Sequence, residues 1–247
     1  MATEDDRQRA TIILAELFPK ARLRIERDYP AAFVASPDGT DVCVIAGTGS
    51  LVCSRIASES EIQNPKSKIQ NFQKSGGNGY VLGDDGSAFQ YGRALLRHHI
   101  DMDKLSEISE DIRAVFSLPS TLSPLPSAEI IAKVYKAPNI PQTLAKLAPA
   151  FAKAAEAKQD FAINFLQAES ALLASVVVGH VSKFLPKKQE ISLSLAGGLW
   201  KISPVFKDAL MNALHTSDST HTYRAQILTR PPVEGAVILA RELASQP

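Results

Sequence analysis

The sequence predicts an α/β fold, on three observations. Short apolar runs with strand character recur between stretches of helical periodicity. Three glycine-rich turns each end an apolar run or open a helix. The closing quarter of the chain alternates strand, helix, strand, helix, over residues 191–195, 203–215, 223–228 and 233–244.

The elements follow in order. Residues 6–18 carry Ala10, Ile13, Leu14 and Leu17 at helical spacing, and Pro19 stops that helix. Residues 21–27 alternate, with Leu23 and Ile25 on one face, which predicts a strand. Asp28 is placed to cap a short helix over residues 31–35, and Pro37-Asp38-Gly39 reads as a turn. Residues 42–46 and 51–55 read as two strands of a hairpin whose tip is Gly47-Thr48-Gly49-Ser50.

Residues 56–76 break this pattern with a seven-residue near-repeat, Ile62-Gln63-Asn64-Pro65-Lys66-Ser67-Lys68 followed by Ile69-Gln70-Asn71-Phe72-Gln73-Lys74-Ser75. Two copies are too few for a solenoid, so the stretch reads as a flexible polar insertion. A second glycine-rich stretch, residues 76–83, leads through Asp84-Asp85-Gly86-Ser87 into a helix bearing Phe89, Leu95, Leu96 and His99. A Pro/Ser-rich link over 118–127 precedes a helical block over 127–184, which Pro186 ends; its alanine-rich part, 145–175, reads as a packed helix. The strand at 191–195 then runs into Ala196-Gly197-Gly198-Leu199.

Composition narrows the function classes. The 247 residues are 45% hydrophobic and 21% charged with a formal net charge of +1, which suits a globular protein and gives no reason to expect nucleic acid or an anionic membrane as partner. Gln167, Glu169, His180 and Lys183 interrupt the longest apolar helix, and the acidic, polar start does not read as a signal peptide. Two cysteines, Cys43 and Cys53, suit a reduced cytoplasmic protein and form no metal site by themselves.

The chemistry lies in the three turns. Gly47-Thr48-Gly49-Ser50 exposes backbone N–H groups and two hydroxyls that can cradle a phosphate; no lysine follows, so it is not a Walker A loop. Asp84 and Asp85 read either as a helix cap or as acceptors for substrate hydroxyls, and two adjacent acids among five glycines exceed what a cap requires. Paired Gly197 and Gly198 at a strand end let a flat ligand such as adenine lie on the backbone, or serve close packing. Blander readings are expected elsewhere: His98 and His99 solvated or compensating the helix dipole, His180 a satisfied core or boundary residue, Trp200 packed in the core.

The succession of strand–GTGS, GGNGYVLGDDGSAFQYGR, LAGG and a closing Pro231-Pro232-Val233-Glu234-Gly235-Ala236-Val237 resembles the N-acetylglucosamine kinase and BadF/BadG/BcrA/BcrD-type ATPase family, over about residues 10–244. That resemblance implies an actin-like, ribonuclease H-like α/β fold of two lobes around a cleft holding MgATP and a sugar. It implies residues 1–39 as a remnant of the N-terminal lobe and 40–247 as a nearly complete C-terminal, nucleotide-binding lobe carrying the 56–76 insertion. Gly47, Thr48, Gly49, Ser50, Gly197 and Gly198 would bind nucleotide, and Asp84, Gly77 and Asn78 would bind the sugar. The family's Asn-Asp-Ala matches Arg27-Asp28-Tyr29 here, which keeps the aspartate as catalytic base but not its neighbours.

The family begins with a strand and a glycine-rich loop bearing an aspartate and a threonine. Residues 1–20 contain no glycine, so that first phosphate loop is expected to be missing. The expected function is ATP-dependent phosphorylation of an amino sugar, with N-acetylglucosamine first, in the cytoplasm and with a homodimer as the family's usual state. Two alternatives stand beside it: an impaired or non-enzymatic nucleotide-binding lobe, and an iron–sulfur dehydratase or reductase activator. The last would need thiolates placed for a shared cluster, whereas Cys43 and Cys53 on hairpin strands read as small apolar residues.

Overall fold

The computed structural model describes residues 4–56, 72–121 and 126–245. Its centre is a five-stranded mixed sheet in the order β3-β2-β1-β4-β5. β1 (Val42–Ala46) pairs antiparallel with β2 (Ser50–Arg55), which pairs antiparallel with β3 (Phe72–Gly76). β1 runs parallel to β4 (Glu190–Ala196), and β4 runs parallel to β5 (Thr222–Ile227). Among the described strands, β2 therefore runs against the rest.

The sequence of β1, Val-Cys-Val-Ile-Ala, has no polar face because the strand is central and covered on both sides. Between β3 and β4 lie α3 (Ala88–Asp101), α4 (Ser109–Phe116), α5 (Ser127–Lys136), α6 (Ile140–Ala145), α7 (Ala148–Glu156) and α8 (Asp160–Phe184). α9 (Pro204–Ser217) connects β4 to β5; Pro204 sits in its first turn, and Ser203 caps it by accepting from Val205 N. One face of the sheet presents Val42, Val44 and Val52 to α3, α7, α8 and α9, where Tyr91, Phe151 and Phe206 stack at 4.8–6.4 Å. Each such buried ring contributes about 1.5–3 kcal/mol.

The other face, with Cys43, Cys53 and Ala196, is covered by Ala32 of α2 (Tyr29–Val34) and by its cap residue Ala35. α10 (Pro232–Ala244) lies across α2 so closely that a Cβ on Gly235 would stand 1.9 Å from the Ala31 carbonyl oxygen. Cys43 and Cys53 are cross-strand partners, both buried as small apolar residues. On the helix-covered side, His180 of α8 bonds at Nδ1 to Ser75 and at Nε2 to Ser54, both at 2.9 Å. Burial pushes its pKa down to about 4, so the ring is neutral in the folded protein. α8 is the helix, among the described residues, long and apolar enough to cross a membrane. Here it packs on the sheet with Leu166, Leu173 and Val177 buried beside Glu169 and His180.

Several sequence expectations change. Residues 21–27 form no strand, although Leu23 and Ile25 alternate: a strand needs a ladder partner, and none lies beside them among the described residues. Instead Arg7 of α1 (Glu4–Leu17) donates to the Ile25 carbonyl at 3.2 Å. Asp28 holds the cap position of α2, but its side chain makes no capping bond. The expected polar insertion over 56–76 is cut short, because residues 72–76 are β3, paired along its whole length with β2; residues 57–71, with most of the near-repeat, lie outside the described residues. The alanine-rich stretch divides into α7 and α8, with Lys158 in the left-handed region at φ +57° between them. His98 and His99 are not simply solvated: His99 is buried, with Nδ1 2.9 Å from the Leu95 carbonyl oxygen, and His98 stacks on Phe161 at 3.7 Å.

Candidate functional site

Parallel pairing of β1 with β4 brings their carboxyl ends to one edge of the sheet, where the first and third glycine turns begin. Gly197 has φ +107°, and a Cβ there would stand 2.1 Å from the Ala46 carbonyl oxygen, so only glycine lets the two turns touch. Gly198 has the opposite character, with φ −71° and open space where its Cβ would be. Its backbone nitrogen lies 4.0 Å from where a Cβ on Gly47 would stand. Trp200 is buried beneath this turn and donates through Nε1 to the Ala196 carbonyl at 2.9 Å.

At the hairpin tip Gly47 N–H donates to the Gly49 carbonyl at 2.9 Å, and the Gly47 carbonyl accepts from Ala88 N at the start of α3. The N–H groups of Thr48 and Gly49 have no partner among the described residues, which leaves two donors at the tip. Such a set of glycine-flanked N–H groups suits a phosphate.

The Asp84 loop closes over this tip. The Asp84 carboxylate covers Gly49 so closely that a Cβ there would stand 2.8 Å from Oδ2, and its Oδ1 accepts from Ser50 N at 3.1 Å. Ser50 Oγ donates to the Asp85 carbonyl at 2.7 Å. Asp84 holds φ +60°, a left-handed conformation that aspartate tolerates better than most residues but that still carries strain. Burial pushes its carboxyl pKa up, the Ser50 N–H pulls it down, and Asp85 pushes it up again. Asp84 and Asp85 are not the cap of α3; Ser87 takes that position and accepts from Gln90 N. Gly77 and Asn78 lie in the approach to this loop, where the Gly77 carbonyl accepts from Lys74 at 3.3 Å and Asn78 touches Gly83.

Two residues of the site were not singled out as functional from the sequence. Glu169, 7% exposed on α8, accepts through Oε2 from Gly86 N at 2.8 Å. Its signal was present: a carboxylate on the buried stripe Ala162, Leu166, Glu169, Leu173, Val177 at helical spacing. Gln90 donates through Nε2 to the Gly83 carbonyl at 3.2 Å, and its buried Oε1 has no partner among the described residues.

Asp28 stands apart from this cluster. It lines a groove of about 530 Å³ with Leu23, Pro30, Phe72 and the α10 residues Ala236 and Leu239. It acts electrostatically on Cys53, whose free thiol is pushed up by a hydrogen bond with the Cys43 thiol, by burial and by the Asp28 charge. Among the described residues no group of three or more His, Cys, Asp or Glu is placed to hold a metal ion.

Solved structures share the fold. A crystal structure of a candidate N-acetylglucosamine kinase from Chromobacterium violaceum superposes with a TM-score of 0.60 at 21% identity, over 96% of this chain and 73% of that one. A hexokinase crystal structure superposes with a TM-score of 0.52 at 11% identity, over 95% of this chain and 59% of that one. At such identities the likeness is one of fold, an α/β fold built on a mixed sheet. No curated protein sequence matches the chain. The sequence profile described as the BadF/BadG/BcrA/BcrD ATPase family matches residues 26–240, so the chain belongs to that family.

Proposed function

We propose that the chain is the nucleotide-binding lobe of an ATP-dependent sugar kinase and that its acceptor is an amino sugar, N-acetylglucosamine first. One observation carries the reading: the Asp84 carboxylate packs against Gly49 and accepts from Ser50 N at the hairpin tip, beside the tip's free Thr48 and Gly49 N–H groups and the Gly197-Gly198 turn. A hydroxyl-binding acid, a phosphate cradle and a flat glycine platform are the three parts that phosphoryl transfer to a sugar requires.

In this reading the Thr48 and Gly49 N–H groups hold the transferring phosphate and oppose the charge that develops on it. The purine and ribose lie against Gly197 and Gly198. Asp84 accepts from a sugar hydroxyl and fixes the acceptor, with Gly77 and Asn78 framing it. Asp28 removes the proton of the attacking hydroxyl. Mg²⁺ supplies charge neutralisation between the phosphates. The Asp84 carboxylate, held at the tip by Ser50 N, would be the protein ligand beside phosphate oxygens and water.

A second reading, a nucleotide-binding lobe without turnover, is favoured by the position of Asp28, in the α10 groove rather than at the loop cluster. The two readings divide on one experiment: ADP release from MgATP with and without N-acetylglucosamine, with Asp28→Ala and Asp84→Ala alongside. Sugar-dependent release abolished in both variants supports the kinase. Nucleotide binding without sugar-dependent release, across a panel of hexoses and hexosamines, supports the second reading.

A further inference from the structure

We infer that Glu169 is a positioning residue of the sugar subsite, acting through the Gly86 turn on Asp84. The inference rests on the proposed role of Asp84 as the acid that holds a sugar hydroxyl.

Glu169 projects from the middle of α8, the longest described helix, and is 7% exposed. A buried carboxylate is retained only where it has bonded partners. Its Oε2 takes the Gly86 N–H at 2.8 Å, a charge-assisted bond to backbone. Gly86 is fixed from a second side: with φ +66°, its missing Cβ leaves room for Leu173, whose Cδ2 would be 2.9 Å from such an atom. The turn is thus pinned against α8 by one polar and one apolar contact. Asp84 lies two residues away at φ +60°. A single non-glycine residue in that conformation persists where its surroundings impose it.

The constraint continues to the phosphate tip. The Asp84 carbonyl accepts from Ser87 N at 3.2 Å, which closes the turn around Gly86. The Asp84 carboxylate accepts from Ser50 N. A chain of three bonds therefore joins α8 to the turn, the turn to Asp84, and Asp84 to the hairpin tip. Burial raises the Glu169 pKa, the Gly86 N–H lowers it, and the Asp85 charge raises it. Losing the acceptor frees the turn to relax Asp84 out of the left-handed region and so releases Ser50.

The test compares Glu169→Ala with Glu169→Gln, whose amide oxygen can still accept from Gly86 N. Amide hydrogen exchange is read at Gly86 and Ser50, with Leu193 of β4 as the reference for global opening. In Glu169→Ala both site amides are expected to exchange about tenfold faster relative to Leu193, the loss of one charge-assisted bond, and Glu169→Gln is expected to restore most of the protection. Ser50 exchange that moves only in step with Leu193 would overturn the inference, leaving Glu169 with a purely structural role. So would a Glu169→Gln protein that exchanges like the alanine variant. Where the kinase reading holds, Glu169→Ala also raises the sugar KM about tenfold while the ATP KM changes less than about twofold. Absence of sugar turnover in the unaltered protein counts against the kinase reading alone, since the exchange measurement does not depend on it.

Discussion

Gly197 and Gly198 are neighbours with opposite constraints, and substituting each by alanine separates folding from nucleotide binding. At Gly197 a non-glycine residue at φ +107° carries about 1–3 kcal/mol of backbone strain. Its Cβ would also stand 2.1 Å from the Ala46 carbonyl oxygen, an overlap that backbone must relieve by parting β1 from β4. Taking about 3 kcal/mol for the two together, at about 2–4 °C per kcal/mol for a chain of this size, Gly197→Ala lowers Tm by about 6–12 °C. At Gly198 the φ of −71° suits alanine and nothing lies within 4 Å, so the substitution costs the fold nothing. It removes freedom from the unfolded chain, so Tm holds or rises slightly, by about 0.4–1 kcal/mol of stability. If adenosine lies on that backbone, however, the added methyl holds the ring off the platform and weakens ADP binding about tenfold, or about 1.4 kcal/mol. Thermal unfolding and titration calorimetry with MgADP on both variants read the two effects. A Gly198→Ala protein that binds ADP with unchanged affinity would refute the placement of the nucleotide on this turn.

Other outcomes follow from the same geometry. Asp84→Asn preserves an acceptor for Ser50 N and tolerates φ +60°, so Tm should change by less than about 2 °C, while the sugar KM rises about tenfold or more as the charged acceptor is lost. Asp28→Ala should leave Tm within about 2 °C, because Asp28 makes no capping bond, yet lower kcat at least about a hundredfold if it is the base; unchanged kcat would remove it from the mechanism. His180 is neutral when folded, with a pKa near 4, but titrates near 6.5 unfolded. No differential exists above about pH 7; below it the unfolded state takes up the proton first, so stability falls by about 2 kcal/mol by pH 5, and His180→Gln should flatten that slope in denaturant titrations. Gly235→Ala drives a Cβ into the Ala31 carbonyl and should separate α10 from α2, costing about 2 kcal/mol or more by the same measurement.

Much of the sheet and its site could be read from the residues because local pattern and tertiary role agree there. β1 and β2 fall within a residue of their expected limits, since a central apolar run bounded by Gly47 and Gly49 has few other folds. Each of the three turns was legible by itself, and long-range pairing brings residues 47–50, 84–87 and 196–199 together. What could not be read was pairing and occupancy. Phe72–Gly76 looked like the tail of a polar repeat, and its strand character comes from β2 alongside it rather than from its own composition. Residues 21–27 show the converse, since their alternation is real but no neighbouring strand takes it up among the described residues. Glu169 was visible only as an interruption of an apolar helix, and its bond to a turn 83 positions earlier is a purely tertiary fact.

The position of Asp28 bears most directly on what the site can do. Tyr29, the neighbour of Asp28, has its carbonyl oxygen 3.9 Å from Cys53 Sγ, and Cys53 lies three residues along β2 from Ser50, a span of about 10 Å at the usual rise of a strand. The Asp84 carboxylate lies at the Ser50 end of that span. A base that bonds a hydroxyl must come within about 3 Å of it, so a sugar anchored on Asp84 would have to bridge most of the interval or α2 would have to move as the substrate binds. α2 is only six residues long, but Ala32 and its cap Ala35 pack on Cys43, Cys53 and Leu228, and Phe33 meets Phe72 of β3 edge-on at 5.7 Å. α10 is locked to it as well, at Gly235. Motion of Asp28 toward the cluster therefore requires α2 and α10 to move together, and the α10 groove that Asp28 lines would change shape with them.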